Sequence, residues 1–257
     1  MKPYLIAFAM AWVASVSAQD PADIIKKSND AVKVSSFEAV STLTIYDSKG
    51  NQRVRQSAMA SMTFPDGTEK RIIKFLSPAE VKGTGILIVD HAEQNDDMWI
   101  YLPALRKTRR IVSSEKSKSF MGSEFSNANM TAPGIHDFTY VLLGEESING
   151  ETCWKIQSTP KTMDLEDEYG YSRSVSWFSK NDYIVQKTDY YDFDNEIFKT
   201  ILTKSYKVLD KENGKYMITS MVAENLQNGR KSEMKMDRVE QIPTKTDYFT
   251  VTYLEKQ

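Results

Sequence analysis

Turn signals recur along this chain roughly every ten to fifteen residues, and that spacing leaves room for short strands and little else. Ser48-Lys49-Gly50-Asn51 separates the apolar runs 37–47 and 53–64. Pro65-Asp66-Gly67 then leads into 68–76, a hairpin signal because Pro presets one turn dihedral and Gly accepts positive φ. Asn149-Gly150, Asn181-Asp182, Asp194-Asn195, Asn213-Gly214 and Asn228-Gly229 punctuate the second half in the same way. The runs between them are rich in aromatic and β-branched residues, with 13 Tyr against only 11 Gly. This pattern predicts one meandering antiparallel sheet rather than alternating βαβ units.

Helix signals are few. Asp20-Pro21-Ala22-Asp23 supplies a capping Asp, Pro at the first helical position and a carboxylate in the first turn. It predicts a helix over 21–34 that buries Ile24, Ile25, Ala31 and Val32. A second helix is expected over 135–143, with Ile135, Phe138 and Leu142 on one face and Gly144 at its end. The acidic run 164–168 reads as a solvated loop. Residues 1–18 form a leader: Lys2, a mostly apolar run 4–16 and the small residues Ser17-Ala18 match a cleaved secretory signal, too short to span a bilayer. The working chain is then one domain, 19–257, exported and without a further apolar stretch of membrane-spanning length.

Several classes of chemistry find no material. The charge is balanced, 33 Lys+Arg against 35 Asp+Glu, which argues against a nucleic-acid partner. One Cys excludes an internal disulfide framework, and two His leave little for a His/Cys metal site. No nucleophile elbow, zincin, P-loop or dinucleotide motif is present, and no cofactor is implied. Cys153 reads as a buried inert thiol, Lys82-Gly83-Thr84-Gly85 as a turn, and 192–196 as a hairpin tip rather than a calcium loop. A hydrolase built on His136 lacks a partnered nucleophile.

The strands carry apolar residues on both faces: Val175 and Trp177 share one side while Phe178 points away. A sheet of that kind needs two covers: helices on one face, and a second sheet, a partner or a ligand on the other. The twelve Met, two of them in the leader, serve either as core filler or as an adaptable apolar surface.

Residues 79–133 are the least regular, and function is expected there. Asp97-Met98-Trp99-Ile100-Tyr101-Leu102 is an aromatic strand stopped by Pro103. Arg106, Lys107, Arg109 and Arg110 follow, a dense positive cluster. On a strand, Arg106 and Arg110 share one side, Lys107 and Arg109 the other. The cluster suits docking to an acidic protein surface or lipid phosphate, or simply protects a strand edge.

Trp99 to Ile111, read as W-x-Y-L-P-A-L-[RK]-[RK]-x-R-R-I, and Phe120-Met121-Gly122-Ser123-Glu124-Phe125 together resemble the outer-membrane lipoprotein-sorting, LolA-like family. After Phe125 the chain departs from that pattern, reading Ser126-Asn127-Ala128-Asn129-Met130. The resemblance implies a mainly β (α+β) fold, a strongly curved antiparallel sheet forming an incomplete β-barrel covered by a few helices. It also implies a periplasmic, non-enzymatic carrier of lipid or lipoprotein acyl chains, in transient contact with a membrane and associated with an RND-type inner-membrane exporter. The residues expected to line an apolar cavity are Trp99, Tyr101, Leu102, Phe120, Met121, Phe125, Val175, Trp177, Phe198 and Leu202, with the basic cluster outside as a docking patch. The rival reading is an adaptor that docks on an exporter and holds no lipid.

Overall fold

The computed structural model describes residues 19–91 and 94–256. The leader expected over 1–18 lies outside the described residues. Thirteen strands form a single antiparallel sheet. The first six are β1 (Ser36–Tyr46), β2 (Gln52–Thr63), β3 (Glu69–Ser77), β4 (Gly85–Asp90), β5 (Asp97–Leu102) and β6 (Lys107–Ile111). The other seven are β7 (Phe138–Ile148), β8 (Glu151–Pro160), β9 (Arg173–Ser179), β10 (Val185–Tyr191), β11 (Ile197–Asp210), β12 (Lys215–Asn225) and β13 (Lys231–Glu240). Each half is a meander. The halves join through β1 and β13, where Leu43 lies opposite Met234. β6 and β7 are therefore the two free edges, and the chain between them must travel from one edge to the other.

That crossing, residues 112–137, runs over one face of the sheet and shows that the sheet is bent. Arg71 on β3 donates from Nη1 to the Met130 carbonyl at 3.1 Å, while the next residue back, Asn129, donates to the Tyr190 hydroxyl on β10 at 3.2 Å. Six strand spacings separate β3 from β10, roughly 29 Å in a flat sheet. Two adjacent residues reach both strands only because the sheet curls around them.

The two faces have different covers. On the concave side, α1 (Pro21–Val32) lays Ile24, fully buried, against Trp154, Ile156 and Phe178. Asp20 caps it as expected, accepting from the Ala22 N–H at 3.0 Å. The helix ends earlier than expected, and its buried stripe is Ile24 and Ser28, with Ile25 half-buried and Val32 37% exposed. On the convex side, α3 (Val251–Leu254) and Phe249 cover Ala60, Ile72, Leu87, Val89 and Tyr101. Gly85 is where α3 comes closest: a Cβ there would sit 2.7 Å from the Leu254 Cδ1.

Two expectations are corrected. The helix over 135–143 is a 3-10 turn, Ile135–Asp137, followed by strand β7. Phe138, Tyr140 and Leu142 alternate inward, so a period of two wins over the period that also fits those residues. The acidic run is helix α2 (Met163–Tyr169), capped by the Thr162 hydroxyl on the Leu165 N–H and ended by Gly170 at φ 77°. No helix among the described residues is long and apolar enough to cross a membrane.

Leu254 is 3% exposed and anchors α3. Leu254→Ala should cost roughly 2–5 kcal/mol of stability. Urea denaturation checks this; a loss below 1 kcal/mol would mean that α3 does not hold the convex face.

Candidate functional site

The concave face carries a cavity of about 160 Å³. Its walls are Phe37 and Leu43 from β1, Met59 from β2, Ile73 and Phe75 from β3, and Met217, Met221, Met234 and Met236 from β12 and β13. Phe120 and Met130 close it from the crossing segment. Val32 lines it and is also exposed, which marks that end as the mouth. Within this apolar lining the Ser41 and Ser57 hydroxyls satisfy each other at 2.8 Å.

One end of the cavity is polar. Glu69 and Arg71 face inward on β3 and pair at 2.6 Å, with the Ser61 hydroxyl donating to Glu69 at 2.8 Å. Burial pushes the Glu69 carboxyl up, but the Arg71 charge and these hydrogen bonds outweigh it and hold it below its ordinary value. Opposite Glu69 in register, Asp90 accepts from the Ala132 N–H at 3.1 Å. Burial, with the nearby Asp96 charge adding, raises the Asp90 carboxyl to about 6. Further round, Lys199 is buried beneath Tyr190, its Nζ 4.6 Å from that ring and 3.2 Å from the Asn129 Oδ1. Burial lowers this amine to about 8.

The crossing segment is an inner strap. Phe120 and Phe125 are buried, and polar contacts tie the backbone around them. Arg55 donates to the Met121 carbonyl and Arg230 to the Gly122 carbonyl. The Glu124 N–H donates to the Ser232 hydroxyl at 3.0 Å. Met121 has φ 50°, an uncommon value for a side chain of its size, and sits next to Gly122 at φ 76°. The Arg55 bond to its carbonyl helps hold that turn.

Of the expected lining residues, Phe120 lines the cavity, and Met121 and Phe125 pack in the same concave cluster. Leu102 shares the side of Met98 and Ile100, but it lies half-buried at the strand end, outside the lining. Phe198 packs on the Phe138, Tyr169 and Tyr171 cluster. Trp99, Tyr101, Val175, Trp177 and Leu202 sit on the convex side, which corrects their expected placement. Trp99 and Tyr101 pack toward the α3 cover, Val175 and Trp177 on Cys153, and Leu202 lies opposite Lys187. The strand pleat decides this: Met98 and Ile100 took the inward positions of β5. Glu69, Arg71, Asp90, Lys199 and Arg55 were not foreseen. For the β3 pair, charged residues at the same inward parity as Ile73 and Phe75 were the available signal.

The basic cluster is partly neutralised. Arg109 pairs with Glu115 at 2.7 Å, and Arg110 pairs with Asp97. Arg106 is off the strand, at φ 47° after the 3-10 turn Pro103–Leu105, so it does not share a strand side with Arg110 as expected. Arg106 and Lys107 are exposed and have no ion pair among the described residues. Lys107, Arg109 and Arg110 lie on edge strand β6. His136 is exposed, and the neighbouring Asp137 carboxylate accepts from the Tyr169 hydroxyl at 2.8 Å.

A curved, unclosed antiparallel sheet around a lined concavity is the LolA-like architecture, and solved structures agree. A DUF1329 family protein from Desulfovibrio piger aligns with TM-score 0.81 at 28% identity, over 91% of this chain and 97% of its own. A domain named for outer membrane lipoprotein sorting, from Vibrio parahaemolyticus, aligns with TM-score 0.82 at 26% identity, over 91% and 98%. A LolA superfamily protein from Nitrosomonas europaea shares the fold with TM-score 0.67 at 18% identity, over 90% and 97%. No curated protein matches the chain. A family model described as an uncharacterized protein matches residues 67–256, and the chain belongs to that family, whose fold is LolA-like.

Asp90 offers a test of the polar end. An acid raised in the folded state binds its proton more tightly there, so stability falls as pH rises from about 4 to about 6 and the loss is complete above that. Asp90→Asn keeps an oxygen for the Ala132 N–H and removes the charge. It should be more stable than the parent at pH 7, by up to about 3 kcal/mol, and nearly equal to it near pH 4. Denaturation at both pH values checks this, and a difference independent of pH would exclude a buried charge as its source.

Proposed function

We propose that this protein carries lipid or lipoprotein acyl chains through the periplasm in its concave cavity and passes them to or from a membrane partner, an RND-type exporter among them. The observation that carries the reading is the Met-lined cavity under a strap whose backbone is tied down by polar contacts. A relative aligned over nearly its whole length is named for lipoprotein sorting, which supports the same reading. The role is binding and transfer without catalysis. Export by the leader 1–18 and a single carrier domain, 19–257, belong to the same proposal.

An acyl chain leaving water gains about 0.8 kcal/mol per buried CH₂, so a sixteen-carbon chain gains on the order of 12 kcal/mol. The void of about 160 Å³ is smaller than the roughly 300–1,000 Å³ of small-molecule sites. Loading therefore requires the strap to shift and the four Met of β12 and β13 to repack, which their unbranched side chains allow. The small void is also the one observation that favours an adaptor docking through Arg106 and Lys107 and holding no lipid.

Organic extraction of the protein purified from its host should release lipid, and a fluorescent fatty acid should bind saturably. Met221→Glu places a charge in the cavity wall and should weaken that binding at least tenfold while unfolding stays cooperative. No extracted lipid together with no saturable binding would leave the adaptor. For the exporter, charge reversal at Arg106 and Lys107 should abolish co-purification with an RND-type transporter; retained co-purification would remove the patch from that role.

A further inference from the structure

A second cavity, about 330 Å³, opens at the end of the sheet where the β3–β4 and β5–β6 connections meet Lys256, just after α3. Its size falls within the range of small-molecule sites, unlike the concave void. Leu76, Tyr101 and Pro103 give it an apolar floor, and Lys74, Lys82 and Lys256 line it, the Lys256 ammonium lying 5.9 Å from the centroid of the Tyr253 ring. No carboxylate among the described residues lines it. The nearest acid of the C-terminal segment, Glu255, is turned to the Thr108 hydroxyl at 2.7 Å. Lys74 uses one of its three donors on the Lys256 carbonyl at 2.8 Å, which leaves two. The chain as a whole is nearly neutral, so this concentration of positive charge is local.

The surroundings continue the pattern. Leu76 is 44% exposed and Leu105, in the adjoining 3-10 turn, is 68% exposed. Arg106 and Lys107 follow directly, exposed and without ion pairs among the described residues. Exposed leucines beside a pocket with a cationic rim match a surface whose outer layer is anionic and whose next layer is apolar.

We propose that this pocket receives the phosphate-bearing head group of an anionic phospholipid at a membrane surface, with Lys74, Lys82 and Lys256 as its ligands and Leu105 against the acyl boundary. The site is separate from the concave cavity, and its occupancy does not depend on whether that cavity holds cargo.

Vesicle co-sedimentation tests this with the full chain, using phosphatidylcholine vesicles with and without phosphatidylglycerol. Binding should require phosphatidylglycerol and fall with added salt. Each of Lys82→Gln and Lys256→Gln should weaken it about fivefold, and the pair roughly 25-fold, with an unchanged melting midpoint as the folding control. Met221→Glu should leave it unchanged, which separates this site from the cargo reading. Equal binding to both vesicle types, or full binding by the double variant, would overturn the proposal. So would saturation of the pocket by millimolar glycerol phosphate without any vesicle binding, which would assign it to a free phosphate ester.

Discussion

The structure depends on a sheet that curls without closing. Because β6 and β7 remain apart, the chain between them must cross the concavity, and everything placed there follows from that crossing. An irregular segment running over an apolar face carries backbone polar groups that need partners. The sheet supplies them from charged and hydroxyl side chains at inward positions: Arg55, Arg71, Ser232 and Asp90. These residues make sense only as partners for the strap. Arg71 in turn needs Glu69, since a half-buried guanidinium without a carboxylate would be costly. The polar end of the cavity is thus a consequence of how the two halves of the fold are joined.

The same geometry explains why both faces are apolar. The concave face packs on α1 and the strap, and the convex face packs on the last turn of the chain. Phe249 and Leu254 are sequence-distant from β2 to β5, yet they bury the side chains that those strands turn outward. Cys153, Val175 and Trp177 form a smaller convex patch, where Lys155 and Lys187 lie over the Trp177 ring. Their stems cover apolar surface while the ammonium groups stay wet.

How far the sequence could be read follows from the range of the interactions involved. Hairpins were legible because Pro65-Asp66-Gly67, Asn213-Gly214 and Asn228-Gly229 carry their turn chemistry in two or three residues. Residues 135–143 misled because Ile135, Phe138 and Leu142 satisfy a helical period while Phe138, Tyr140 and Leu142 satisfy a strand period. Helix α2 had its signals in view, Thr162 as cap and Gly170 as stop, but the acidic composition hid them. The irregularity expected over 79–133 holds for the strap, while 85–111 carries the strands β4, β5 and β6. Which side of β5 faces the cavity was not legible: Met98 and Ile100 are as apolar as Trp99 and Tyr101, and the choice is made by a cover far along the chain. Lys199 and Asp90 stayed hidden because nothing local marks a charged residue as buried.

Magnitudes bear on the proposed carrier role of the strap. Its ties through Arg55, Arg71, Asp90, Lys199, Arg230, Ser232 and Tyr190 are worth about 1 kcal/mol each, and burial of Phe120, Phe125 and Met130 about 2 kcal/mol each. Together these come to on the order of 13 kcal/mol, close to the roughly 12 kcal/mol that a sixteen-carbon chain gains on leaving water. A strap held much more tightly would exclude cargo, and one held much more loosely would leave the Met-lined face open to water and to other chains. On the proposed carrier reading, near balance would let the strap cover most of the concavity when no cargo is present and give way to an alkyl chain. On the same reading, an acceptor of similar apolarity would take the chain back at little net cost, and the returning strap would cover the concavity again.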